Sequence, residues 1–157
     1  MVKISEAMIS GGRDRAGARE KMNELWASIV AGDGDPLHRC TLAHYAADLE
    51  DSAQAALEWD LRAFEAFGKL TEERVQQHHS SLHVGGFLPS LHLNLADDYR
   101  RLGDTVQANE HLEHARAHAG AIGDDPYGTG VLAGIDHVAE ALAAGSTEPI
   151  SPGGSPR

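Results

Sequence analysis

The sequence predicts an all-α protein made of antiparallel helical hairpins, and three observations predict it. No stretch alternates apolar and polar residues over the length of a strand; apolar side chains return every third or fourth position instead. Asp-Pro pairs and glycines punctuate the chain at helix-length intervals. Two segments 53 residues apart share the same pattern: in 42–55 and 95–108, six of fourteen aligned positions are identical.

Met1 to Gly12 ends in two glycines and is expected to be loosely held. From Arg13 the residues Ala18, Met22, Leu25, Trp26, Ile29 and Val30 form one stripe of an amphipathic helix that stops at Gly32. Asp35-Pro36 starts the next helix, because the carboxylate can accept from free amides while proline loses no intrahelical bond at the first position. Leu42, Ala46 and Leu49 then face one way. Asp51 with Gln54 reads as a capping-box variant opening a helix. Its main apolar row is Leu57, Leu61, Phe64 and Phe67, and Ala56, Trp59 and Ala63 make a second.

Gly68 to Thr71 closes that helix and opens a shorter one, interrupted by Gly85-Gly86. Pro89 lies near the start of a helix with Leu91, Leu95, Tyr99 and Leu102 inward, ending at Gly103. Asp104 with Gln107 begins another, with Ala108, Leu112, Ala115 and Ala119 on one face. Asp125-Pro126 precedes a last helix using Leu132, Ile135, Ala139 and Leu142. Beyond Gly145 the Ser-, Pro- and Gly-rich residues 146–157 are expected to be disordered. The expected organisation is a loose segment 1–12, a single helical domain 13–145 and this tail.

The second of the two similar segments resembles a tetratricopeptide repeat. His92, Leu95-Ala96, Tyr99, Ala108 and Leu112 stand where that family has its large residue, Leu-Gly, Tyr, small and bulky residues. Asn94, Gly103-Asp104 and Ala115 also fit, whereas His92 replaces Trp, Ala96 replaces Gly and Gly120 stands where Pro would close the repeat. The first copy matches through Leu42-Ala43, Ala46, Ala55 and Trp59, with Glu50 in place of the turn glycine.

The resemblance implies stacked hairpins in a tetratricopeptide-like superhelix with flanking capping helices, and a non-catalytic scaffold that binds a partner protein or peptide in a concave groove. The implied groove residues are Ser90, Leu93, Asn94, Asp97, Arg100 and Arg101 from the better copy, with Cys40, Thr41, His44 and Asp48 from the other. Asn94 could bond a peptide backbone and Arg101 could grip a carboxylate. The alternative for either arginine is a solvated place at the negative end of its helix.

A competing reading is a histidine-rich module that binds metal or senses pH. Ten histidines would move the formal charge from −11 to −1 if all were protonated. His111, His114 and His118 share one helical face, and His79 and His83, with His78 nearby, have chelating spacing. These six are weak metal candidates, since the His111 row points away from the Ala108 and Leu112 row, toward solvent, without a carboxylate or thiolate partner.

Enzymatic signals are absent from the sequence: there is no nucleophile elbow, phosphate-binding glycine loop, H-E-x-x-H or Cys-x-x-Cys, so no catalyst and no cofactor is expected. The lone Cys40 reads as a buried, inert thiol. With 24 acidic against 13 basic residues in 157, nucleic acid is an unfavoured partner. No apolar run approaches the ~20 residues that cross a bilayer. Without a disulfide framework or a charged-then-apolar leader, a cytoplasmic address is expected, and self-association as a homodimer is a further option.

Overall fold

A computed structural model of the protein describes residues 14–32, 34–78 and 84–150. The expected loose segment 1–12 and residues 151–157 of the tail lie outside them. The described residues are all-helical, with seven α-helices and no strand. None of the helices is long and apolar enough to cross a membrane. The chain divides into two compact units, Met1–His78 and His79–Arg157.

The first unit contains α1 (Arg15–Ala31), α2 (Pro36–Ala47), α3 (Ala53–Phe67) and α4 (Glu72–His78). The Asp14 carboxylate accepts from the Gly17 amide and opens α1, and Asp35 accepts from Leu37 with Pro36 at the first position of α2. The cap of α3 is Ser52, which accepts from the Ala55 amide at 3.2 Å, rather than Asp51. Asp51 instead pairs with Arg15 and Arg19 of α1. The five-residue connection folds α3 back along α2, where Leu42, Ala43 and Ala46 are buried against Ala56, Leu57 and Ala63. Ala18 and Met22 bring α1 onto α2. Arg74 ties α4 to the start of α2 by pairing with Asp35.

The second unit holds a 3₁₀ turn (Val84–Gly86), α5 (Leu88–Arg101), α6 (Thr105–Ala117), a second 3₁₀ turn (Ala119–Ala121) and α7 (Pro126–Ala143). Asp104 caps α6 through the Gln107 amide, and Asp125 caps α7 through Gly128. α5 and α6 form the second hairpin, and α7 packs on both. The core they share is Ala96, Leu112, Ala115, Val131, Ile135 and Val138.

The two hairpins turn differently for one physical reason. Gly103 takes a left-handed φ of 79°, so α5 reaches Arg101 and the chain reverses within three residues. Its counterpart, Glu50, carries a side chain that disfavours this conformation. Here α2 stops at Ala47, the connection is longer, and Arg15 of α1 donates to the carbonyls of Asp48 and Glu50.

The expected apolar rows face inward except for single members. Leu61, Leu102, Val30 and Leu132 are exposed, while Ala66, Val131, Val138 and Ala141 are buried beside the expected Ala56, Ala63 and Ile135. On α3 the buried stripe includes Ala56, Ala63 and Ala66, whose small side chains let helix axes approach to ~8 Å. The tail also differs: Ser146 and Glu148 offer their carbonyls to Arg100, and Ile150 packs against the core of the second unit.

Candidate functional site

Each unit concentrates polar side chains at its hairpin seam. In the first, Cys40 and His44 lie one turn apart on α2 and face Asp60 of α3, which is only 2% exposed. His44 Nδ1 stands 3.7 Å from Asp60 Oδ1. Burial alone would depress the imidazole pKa, but the Asp60 carboxylate and the charge of Asp48 outweigh it, so the cation is favoured. Asp48, at the exposed end of α2, is raised, first by desolvation and then by Asp60, against the lowering pull of His44 and Arg15. Burial, reinforced by Asp60, pushes the Cys40 thiol up to about 12. A thiol so held is protonated and unreactive near neutrality, which argues against a nucleophile despite the His and Asp beside it. Thr41 is half-buried on the same helix.

The α5 positions assigned to a groove meet the chain itself. Ser90 is buried, donates to the Phe87 carbonyl and receives the Tyr127 hydroxyl of α7 at 2.8 Å. Leu93 packs on α7, where a Cβ added to Gly134 would stand 2.7 Å from Leu93 Cδ2. Arg100 is 1% exposed, so it is neither a solvated helix end nor a free clamp. Its guanidinium donates to the Asp97 carboxylate at 2.8 Å and to the carbonyls of Ser146 and Glu148. Asn94 and Arg101 remain partly exposed, Arg101 with its guanidinium 4.0 Å from Asp98. The face of α5 that would line a groove is therefore largely occupied by α7 and residues 146–148.

The second polar concentration is a group of four imidazoles. His92 on α5 is 6% exposed, and His111 and His114 of α6, with His118 just past its end, gather around it. The His92 and His111 Nδ1 atoms are 2.9 Å apart, a hydrogen bond that needs one nitrogen protonated and the other bare. The His114 and His118 rings stack on His92 at centroid separations of 4.9 and 6.1 Å, and Tyr99 stacks on His111 at 5.5 Å. Desolvation, followed by the charges of His111, His114 and His118, holds the His92 pKa down at about 4. His111 is lowered too, chiefly by burial, with Glu110 pulling the other way.

The expectation that the His111 row simply faces solvent is corrected in part: His114 and His118 are exposed, but His111 is half-buried against α5. Sequence reasoning placed His92 in the slot of a large aromatic and missed its company; that slot, which faces the partner helix, was the available signal. Among the described residues no group of three or more His, Cys, Asp or Glu side chains could hold a metal ion. Of the other candidates, His79 and His83 lie outside the described residues, and His78 ends α4.

A groove of about 360 Å³ between α6 and α7 is lined by Leu112, Ala139 and Leu142 with Asn109 and Arg116. Its polar groups are already engaged, Asn109 with the Thr105 carbonyl and Arg116 with Glu113. No family model matches the chain, and no curated protein or solved structure matches it either.

Proposed function

We propose that the chain is a non-catalytic scaffold of the tetratricopeptide kind, in which the helical hairpin of a unit presents a surface to a segment of another protein. The observation that carries this reading is the recurrence of one helix–turn–helix unit, α2 with α3 and α5 with α6, each closed along a seam of small buried residues. The Cys-His-Asp grouping speaks for structure over catalysis, because its thiol is locked in the neutral form.

With much of the α5 face covered by α7, the surface that remains is that of α2, where Thr41 and His44 are half-buried and Asp48 is exposed. The formal charge of −11 and the carboxylate of Asp48 favour a basic segment, which would be drawn by long-range attraction and held by hydrogen bonds along α2. Asn94 and Arg101 of α5 offer an amide and a guanidinium of the same use in the second unit.

The test is to pan a displayed library of unstructured peptides against the protein and against Thr41→Arg with Asp48→Lys. A common basic motif enriched on the parent and lost on the variant supports the reading. No enrichment, or equal enrichment on both, counts against it.

A further inference from the structure

We propose that the four-imidazole cluster of the second unit is an acid-operated release: protonation of His92 and His111 separates α6 from α5 and unseats α7 from both. The geometry comes first. The Nδ1 atoms of His92 and His111 share one proton across 2.9 Å. A second proton converts that bond into repulsion between two imidazolium N–H groups, with His114 and His118 stacked close beside them.

Among the described residues, like charges stand close to this pair. From α6 and its C-terminal cap the groups acting on His92 include His111, His114 and His118, and the carboxylate of Glu110 acts on His111. On α5 itself the neighbour of His111 is the Tyr99 ring. The Val84–Gly86 turn, which packs on α5, carries no ionisable side chain. α7 meets α5 on the side of Ser90 and Leu93, through Tyr127 and Gly134. Among the described residues, three imidazoles act on His92, all of the same sign as its own once protonated.

The seam so loosened is the one on which α7 rests. Leu112 and Ala115 of α6 and Ala96 of α5 share a core with Val131, Ile135 and Val138 of α7, so parting α5 from α6 splits the surface that holds α7. Ser90 and Leu93, now under α7, would then be uncovered. The device is separate from the α2 surface proposed above and stands or falls without it.

Linkage sets the size of the effect. Protonation favours the opened state between the ordinary histidine value of 6.5 and the depressed value of about 4. At about pH 5 it raises the opening constant roughly 30-fold over its value at neutrality. Hydrogen exchange on the whole chain, with a chelator present and rates corrected for intrinsic pH dependence, reads this directly. Between about pH 7.5 and about pH 5, α6 and α7 amides should lose protection by that factor, and His92→Phe should abolish the change. Unchanged protection in the parent, or the same acid response in His92→Phe, overturns the proposal. Should His92→Phe not fold, imidazole resonances of the parent decide: His92 and His111 titrating below ordinary histidines support the device, and four independent titrations near the ordinary value refute it.

Discussion

Replacing Arg100 by methionine keeps the stem and removes the guanidinium, which tests the claim that this side chain seats the C-terminal segment. Arg100 is 1% exposed and donates to the Asp97 carboxylate and to the carbonyls of Ser146 and Glu148. Breaking a fully buried pair by removing one partner costs about 3–5 kcal/mol. Asp97 retains 28% exposure of its side chain, so it rehydrates in part. The two tail carbonyls, on partly exposed residues, do so as well. Taking the lower end of the range and crediting the methionine with some apolar burial leaves a loss of about 2–3 kcal/mol.

The assay is urea unfolding followed by far-ultraviolet circular dichroism, together with limited proteolysis of residues 144–150. A shifted midpoint with new cleavage in that stretch is the expected result. Arg101→Ala is the control: its guanidinium is 4.0 Å from Asp98, a long ion pair, and its loss should cost less than about 1 kcal/mol. A change in Arg100→Met no larger than in Arg101→Ala, with the tail still protected, would show that the buried guanidinium does not hold it.

Four further outcomes are expected. Gly103→Ala should destabilise by about 1–2 kcal/mol in thermal unfolding although nothing lies within 4 Å of the added methyl, because the φ of 79° alone opposes it. Gly128→Ala should lose more, since its Cβ would stand 2.0 Å from the Gly123 carbonyl oxygen, and a melting point equal to the parent's would contradict that packing. His44 has a raised pKa in the fold, so its contribution is fully present below 6.5 and fades as pH rises through the raised value; His44→Gln should therefore lose more stability at about pH 5.5 than at about pH 9, measured as urea midpoints. Cys40, buried and held at about 12, should resist a disulfide reagent until the first unit unfolds, and rapid labelling of the native chain would refute its burial.

Local signals in the sequence carried much of the fold. Asp35-Pro36, Asp125-Pro126 and Asp104 start helices because a carboxylate and a locked φ act on their own neighbours, needing nothing from the rest of the chain. Where two adjacent residues could serve, as Asp51 and Ser52 could before α3, the choice fell to tertiary contact: Arg15 and Arg19 claim Asp51 and leave the cap to Ser52. Leu61 and Leu132 are exposed although the rest of their rows, with Leu57 and Ile135, turns inward, since hydrophobic periodicity marks a face but not which of its members the neighbouring helix covers.

The candidate site was less legible. His111, His114 and His118 can be aligned on α6 by counting, but His92 joins them only when α5 folds back, and its burial and stacked neighbours arise from that pairing. Arg100 sits in an ordinary helix-end context, and the carbonyls that bury it come 46 and 48 residues later. No local pattern announces a partner that distant.

Both tryptophans, Trp26 and Trp59, stand in the first unit, edge to face at 5.4 Å with the Arg62 guanidinium 4.3 Å from the Trp59 ring centre. Indole emission consequently reports directly on α1 and α3, which carry both rings. A melting curve recorded by fluorescence follows the surroundings of these two rings, and its disagreement with an ellipticity curve of the same sample would measure how independently the two units unfold.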